Sequence, residues 1–249
     1  MSKEQPSDKV PGEKIQKALA NAGYGSRRKV EEWIKQGLVK LNGQTATLGQ
    51  RVDRHKDRLY LRGKVVNFEQ IPRKILLYHK PVGEICTRAD DRGRKTVFGQ
   101  LPTLNQGRWV SVGRLDINSS GLLLCTTDGQ LANRLMHPSA NLLRTYRVRM
   151  LGDLTPAQCE KMQSGVMLED GLASFKSLEK LPSKGVNQWI NVTLSEGRNR
   201  EVRRLLESQD IQVNRLIRTG YGPIILPRGL YPGQSREATM QEESALLKV

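Results

Sequence analysis

Residues 113–124 read Gly113-Arg114-Leu115-Asp116-Ile117-Asn118-Ser119-Ser120-Gly121-Leu122-Leu123-Leu124. One acid, Asp116, stands between an arginine and a short polar turn, just before an apolar run. Three roles are open for it: turn former, ion-pair partner or centre of a reaction. An aspartate ahead of a turn commonly serves the turn. In extended backbone, residues two apart point the same way, so Arg114 and Asp116 are also placed to share a face and hold each other ionised.

The rest of the chain narrows the choice. Its 249 residues suit one large or two ordinary domains. There are 41 Lys+Arg against 25 Asp+Glu, a net charge of +16. That balance points to a polyanionic partner, nucleic acid before anionic membrane. Residues 1–70 hold 15 basic and 8 acidic residues and the remainder 26 and 17, so both parts are basic, as two surfaces for one polyanion are. No run approaches the roughly 18 apolar residues of a membrane span. The first residues, MSKEQPSDKVPGEK, lack the apolar core of a secretory signal; residues 1–11 read as a short disordered tail. Three cysteines and three histidines are scattered without metal or disulfide spacing. No metal is expected, and a reducing cytoplasm is the simplest setting.

Residues 13–22 place Ile15, Ala18, Leu19 and Ala22 at helical spacing, ended by Gly23 and Gly25. Ser26 can cap a second helix, with Val30, Trp33 and Ile34 inward and Gly37 as its stop. Short alternating segments follow, 38–41 and 57–61, with an Asn42-Gly43 hairpin turn. Lys14, Lys17, Arg27, Arg28 and Lys29 gather near the helix junction, a place suited to phosphates. Residues 67–74 read as linking sequence. Beyond them the pattern is α+β: strands at 75–81, 146–150 and 189–194, helices at 131–136, 155–166 and 200–207.

Tyr146 opens one of those strands. It reads as half-buried packing, or as a surface for a nucleobase, where stacking contributes ~1–3 kcal/mol per base. Residues 198–204 carry four arginines. The plain reading is a solvated face. Val202, Leu205 and Leu206 supply an apolar side, however, and leave Arg203 on a different bearing from Arg200 and Arg204. The functional reading turns one arginine toward a site and sets others, Arg198 among them, on phosphates. Lys80-Pro81-Val82-Gly83 alone is a turn, followed by a charged loop at 88–95 of a kind that can order on RNA.

The stretch KIQKALANAGYGSRRKVEEWIKQGLVKLNG (14–43) resembles the S4 RNA-binding domain. KPVGEICT (80–87), VGRLDINSSGLLLCTTDGQLANRLMHPS (112–139), TYRVRM (145–150), NQWINVTLSEGRNREVRRL (187–205) and RLIR (215–218) resemble the RsuA/RluB family of ribosomal RNA pseudouridine synthases. Within it, residues 84–98 and 187–205 are most similar to the large-subunit enzymes. The resemblance implies an α+β fold: an S4 domain over 12–70, a linker at 71–74, and a catalytic domain over 75–249 with a mainly antiparallel mixed sheet, flanking helices and a central cleft. It implies that Asp116 is the essential aspartate, as nucleophile at C1′ or as base for the 2′ proton, that Tyr146 stacks on the base and helps remove its C5 proton, and that Arg203 forms an ion pair with Asp116. It shifts Arg114 from ion-pair partner to RNA contact. The uridine has to leave its stack. The expected partner is a stem-loop of large-subunit ribosomal RNA, met by a monomer with no cofactor and no membrane. Two rivals are a non-enzymatic RNA-binding or ribosome-assembly protein and a small-subunit rRNA synthase.

Overall fold

The computed structural model describes residues 12–68, 71–182 and 185–249; the tail expected over 1–11 lies outside them. The chain divides into two units. The first runs up to Pro72 and also takes in Leu104–Arg108; the second comprises Arg73–Thr103 and Trp109–Val249.

In the first unit, β1 (Glu13–Lys14) pairs with a later strand, so the expected helix starts only afterwards, as α1 (Ile15–Asn21). Gly23 turns the chain at φ +80°. Ser26 then caps α2 (Arg27–Lys35), accepting a hydrogen bond from the Lys29 N–H at 3.0 Å. Five short strands follow: β2 (Val39–Leu41), β3 (Gln44–Thr45), β4 (Arg51–Val52), which partners β1, β5 (Leu59–Leu61) and β6 (Lys64–Val65). They include a four-stranded sheet in the order β3-β2-β5-β6. Asn42 and Gly43 both take positive φ, as a two-residue hairpin requires. Ile15, Leu19, Val30, Trp33, Val39 and Leu59 meet in one apolar core. The cations of the two helices stand outside that core.

The second unit holds a nine-stranded mixed sheet. In chain order its elements are β7 (Ile75–Lys80), α3 (Val97–Gln100), β8 (Val110–Ser111), β9 (Ser120–Thr126), α4 (Gly129–Met136), β10 (Arg144–Leu151), α5 (Pro156–Ser164), β11 (Val166–Leu168), β12 (Gly171–Ala173), β13 (Ser177–Leu181), β14 (Asn187–Leu194), α6 (Glu201–Glu207), β15 (Val213–Tyr221), β16 (Ile224–Ile225), β17 (Ser235–Glu237) and α7 (Met240–Leu247). The sheet order is β13-β14-β10-β15-β9-β7-β17, with β16 beside β15 and β8 beside β9. Every described pair in it is antiparallel except β15 with β9. The apolar run after Asp116 becomes β9, buried at every residue, as a central strand covered on both faces is. Leu122 and Leu124 join Leu77, Leu131, Leu135, Tyr221 and Leu246 in the main core.

Two helix boundaries differ from expectation. Asp128 starts α4 earlier, accepting from the N–H groups of Gln130 and Leu131. The helix expected to reach Val166 ends at Ser164, because Gly165 takes φ +129° and Val166–Leu168 pair with β12. The parallel contact of β9 with β15 depends on Gly121. Its φ is +109°, and a Cβ there would lie 2.3 Å from the Arg218 carbonyl oxygen. Across the sheet, Lys80, Gly121, Arg218, Tyr146 and Val192 form one continuous row.

Candidate active site

Two members of that row, Arg218 and Tyr146, line a cleft of ≈810 Å³, whose lining also includes Asp116, Arg114, Arg144 and Arg200. Asp116 stands on the loop entering β9. The loop turns tightly, with the Ser119 N–H donating to the Asp116 carbonyl at 3.1 Å, and the Gly83 N–H donates to the Ile117 carbonyl at 2.8 Å.

The main clamp on this loop is a residue that sequence reading took for part of a turn. Lys80 is fully buried. Its ammonium donates to the carbonyls of Pro81 (2.8 Å), Asp116 (3.1 Å) and Ser119 (2.9 Å), matching its three donors to three acceptors. Burial pushes its pKa down, against the opposing pull of Cys86, Glu84 and Asp116. Arg203 holds the loop from another side. It is buried, and its guanidinium donates to the carbonyls of Val213 (3.1 Å) and Asn118 (2.9 Å). The Cys86 thiol touches both the N–H and the carbonyl of Leu115 at 3.4 Å.

The expected ion pair of Arg203 with Asp116 is therefore not made directly. The Nη1 and Nη2 of Arg203 donate to backbone carbonyls, one of them two residues beyond Asp116, and its Nε is buried without an acceptor among the described residues. Its charge still acts on the site: burial lowers the Arg203 pKa, Arg200 lowers it further, and Asp116 raises it. Arg114 is exposed at the cleft and forms no salt bridge with Asp116 either.

Tyr146 is buried on β10, on the wall beside Arg218. The other acids of the cleft are committed elsewhere. Asp90 pairs with Arg94 at 2.6 Å, and those hydrogen bonds hold its pKa down at about 2. Glu201 is buried, which raises its pKa, and it lies 3.4 Å from Arg198. Among the described residues, Asp116 is left as the carboxylate of the cleft without a side-chain partner.

The arginines near α6 need correction as RNA contacts. The Arg204 fork holds both carboxylate oxygens of Asp170 at 2.8 Å. Arg198 pairs with Asp170 (3.2 Å), Glu196 (3.0 Å) and Glu201, and also donates to the carbonyls of Gly171 and Leu172. Their side chains are only 23% and 19% exposed. One distant acid, Asp170, and two near neighbours, Glu196 and Glu201, take up these charges, and spacing along the chain could not show the first. Arg200 remains exposed at the cleft, 3.6 Å from Glu207. In the first unit Lys14, Arg27 and Arg28 are exposed; Lys29 is exposed beside Glu32 (2.8 Å), and Lys17 lies 3.3 Å from Glu13. Among the described residues no cluster of His, Cys, Asp or Glu is arranged to hold a metal ion, and no helix is long and apolar enough to cross a membrane.

Asp116, the aromatic ring of Tyr146 and a rim of arginines thus stand together in one cleft. Comparison with known proteins gives the family. Residues 74–208 match the RNA pseudouridylate synthase family and residues 13–59 the S4 domain. The chain is similar to proteins named Ribosomal large subunit pseudouridine synthase B from Haemophilus influenzae (52% identical; 96% of this chain, 68% of the relative), Pseudomonas aeruginosa (52%; 93% and 61%) and Salmonella typhimurium (50%; 94% and 82%). A solved structure titled pseudouridylate synthase shares the fold, with TM-score 0.66 at 24% identity over 94% of this chain and all of that one. The chain belongs to the RNA pseudouridylate synthase family.

Proposed function

We propose that this chain converts a uridine of large-subunit ribosomal RNA to pseudouridine, with Asp116 as the reacting carboxylate. The observation that carries the assignment of Asp116 is its freedom: it is the cleft acid without a side-chain partner, on a loop fixed through Lys80 and Arg203. The choice of large-subunit RNA is supported by the names of relatives about half identical over most of this chain.

The reaction breaks N1–C1′, turns the detached uracil and forms C5–C1′. A carboxylate held beside the ribose serves it as nucleophile at C1′ or as base for the 2′ proton. Arg203 and Lys80 act through the loop: their donors fix the backbone that carries Asp116. Tyr146 lies against the ring of the extruded uridine, and its hydroxyl assists departure of the C5 proton. The exposed cations Lys14, Arg27, Arg28 and Lys29, with the half-buried Lys17, hold phosphates of the RNA stem.

The test is incubation with large-subunit and small-subunit ribosomal RNA from cells lacking the protein, followed by mapping of carbodiimide-reactive pseudouridine. One new site in the large-subunit RNA is expected. A site in the small-subunit RNA would move the substrate assignment. Binding without any new site would leave an RNA-binding protein.

A further inference from the structure

One charge in the cleft is unexplained by this account. Arg218 lies on β15, in register with Tyr146 and Gly121, and lines the cleft that Asp116 and Tyr146 share. It is 2% exposed. Its Nε donates to the Leu122 carbonyl at 2.8 Å, while Nη2 is buried without an acceptor. Among the described residues Asp116 forms no ion pair with Arg218, and the other acids lining the cleft are taken: Asp90 by Arg94 and Glu201 by Arg198. The guanidinium also rests 5.1 Å from the centre of the Tyr221 ring, which holds it in the wall. A guanidinium cannot shed its proton to escape burial. Buried polar groups are normally satisfied, and a buried unpaired charge is costly to keep. Arg218 is thus a donor waiting for an acceptor that enters the cleft.

We propose that Arg218 binds the uracil ring of the flipped uridine and stabilises the anion that the ring becomes. This rests on the reading of the chain as a pseudouridine synthase. When N1–C1′ breaks, its electron pair stays with the uracil, and the charge spreads over N1, O2 and O4. C5 then bonds to C1′ with that pair, and the proton of C5 is finally replaced by one on N1, so atoms and charge balance. A fixed donor in a dry wall suits a charge that appears only during reaction. Its place beside Tyr146 puts it at the edge of a ring lying on that wall. A hydrated phosphate would need a more exposed cation.

Arg218→Gln and Arg218→Lys are compared with the unchanged protein on an rRNA fragment carrying either uridine or 5-fluorouridine at the modified position. Consumption of the starting nucleoside is followed under single-turnover conditions, together with RNA affinity at several salt concentrations. If the unchanged protein consumes neither nucleoside, the synthase reading itself fails and takes this inference with it. If it does, Arg218→Gln is expected to lose about 100-fold in rate on uridine, the effect of removing one such donor, with affinity within about threefold. On 5-fluorouridine, whose fluorine already stabilises the anion, the loss is expected to shrink to about tenfold. Arg218→Lys, which keeps the charge and loses the fork, is expected to lose about tenfold on uridine and about threefold on 5-fluorouridine, and it decides the matter if the glutamine variant does not fold. An equal loss on both nucleosides would overturn the proposal as a general structural defect. An affinity loss of about tenfold with a shallower salt dependence would overturn it as a phosphate contact.

Discussion

At the start of α2, Arg27 and Arg28 stand in solvent and Lys29 is exposed beside Glu32. Around the start of α6, Arg198 and Arg204 are drawn into acids and carbonyls, and Arg203 is buried against the loop that carries Asp116. Both stretches look alike as charge. They differ in what the fold brings to them. Among the described residues, the first pairs with an acid of its own helix, Glu32. The second receives Asp170 from the turn joining β11 to β12, and carbonyls from the loop before β9 and from β15. The first is therefore free to hold a polyanion, while the second is spent on shaping a site.

The largest expected effect comes from the acid that the second stretch helps to place. Asp116→Asn keeps the shape and loses the charge; pseudouridine formation should be undetectable, with RNA affinity within about tenfold, ~1.4 kcal/mol. A tritium-release assay beside a binding titration reads both.

Next is the clamp. Lys80→Met removes a buried ammonium and leaves three carbonyls without a donor. A loss of about 3 kcal/mol in stability is expected from such a buried unsatisfied cluster, seen as an earlier denaturant midpoint. Single-turnover rate should fall by about 10- to 100-fold, more than affinity does, because the loop of Asp116 loses its hold. Unchanged stability and rate would show that Lys80 does not fix the loop.

A smaller effect would blur the contrast on purpose. Asp170→Asn releases Arg204, and in part Arg198, from their acid. The salt dependence of RNA binding should steepen by about 0.7–0.9 for each arginine that then reaches a phosphate. An unchanged slope would mean that α6 lies away from the RNA path.

The smallest effect involves neither stretch. Hydrogen bonds from Arg236 hold the Glu242 carboxyl down at about 2, below its ordinary 4.5. A carboxylate with a depressed folded pKa adds stability above its unfolded pKa and loses it as pH falls through the folded value. Thermal melts should therefore weaken as pH drops from about 4.5 to about 2. Glu242→Gln should remove that part of the pH dependence without touching RNA affinity.

What could be read in advance followed from local signals. The Ser26 cap and the Asn42-Gly43 turn each dictate structure within a few residues, and their elements formed there; the apolar run after Asp116 marked no particular element and became β9. Asp116 and Tyr146 share a cleft, as their motifs implied. Lys80 was legible only as a neighbour of Pro81 and Gly83, because two of its three acceptors lie 36 and 39 residues away. Arg218 was quoted in a motif without a role, since its place beside Tyr146 arises from strand pairing across the sheet. Arg203 was expected on the carboxylate and instead grips the backbone near it. Long-range partners decided each of these cases.

The contrast between free and committed cations is tested most directly by two variants measured side by side: Arg27, Arg28 and Lys29 all changed to Ala, and Asp116→Asn. Each is titrated with unmodified large-subunit rRNA at several salt concentrations and then assayed at saturating protein for pseudouridine formation in a single turnover. The triple variant should bind more weakly, with a salt slope shallower by roughly two, at about 0.7–0.9 per lost contact, and should keep its saturated rate. Asp116→Asn should keep affinity and slope and lose the rate. A triple variant with unchanged affinity and slope, or an Asp116→Asn protein that still forms pseudouridine at the wild-type rate, would contradict the account.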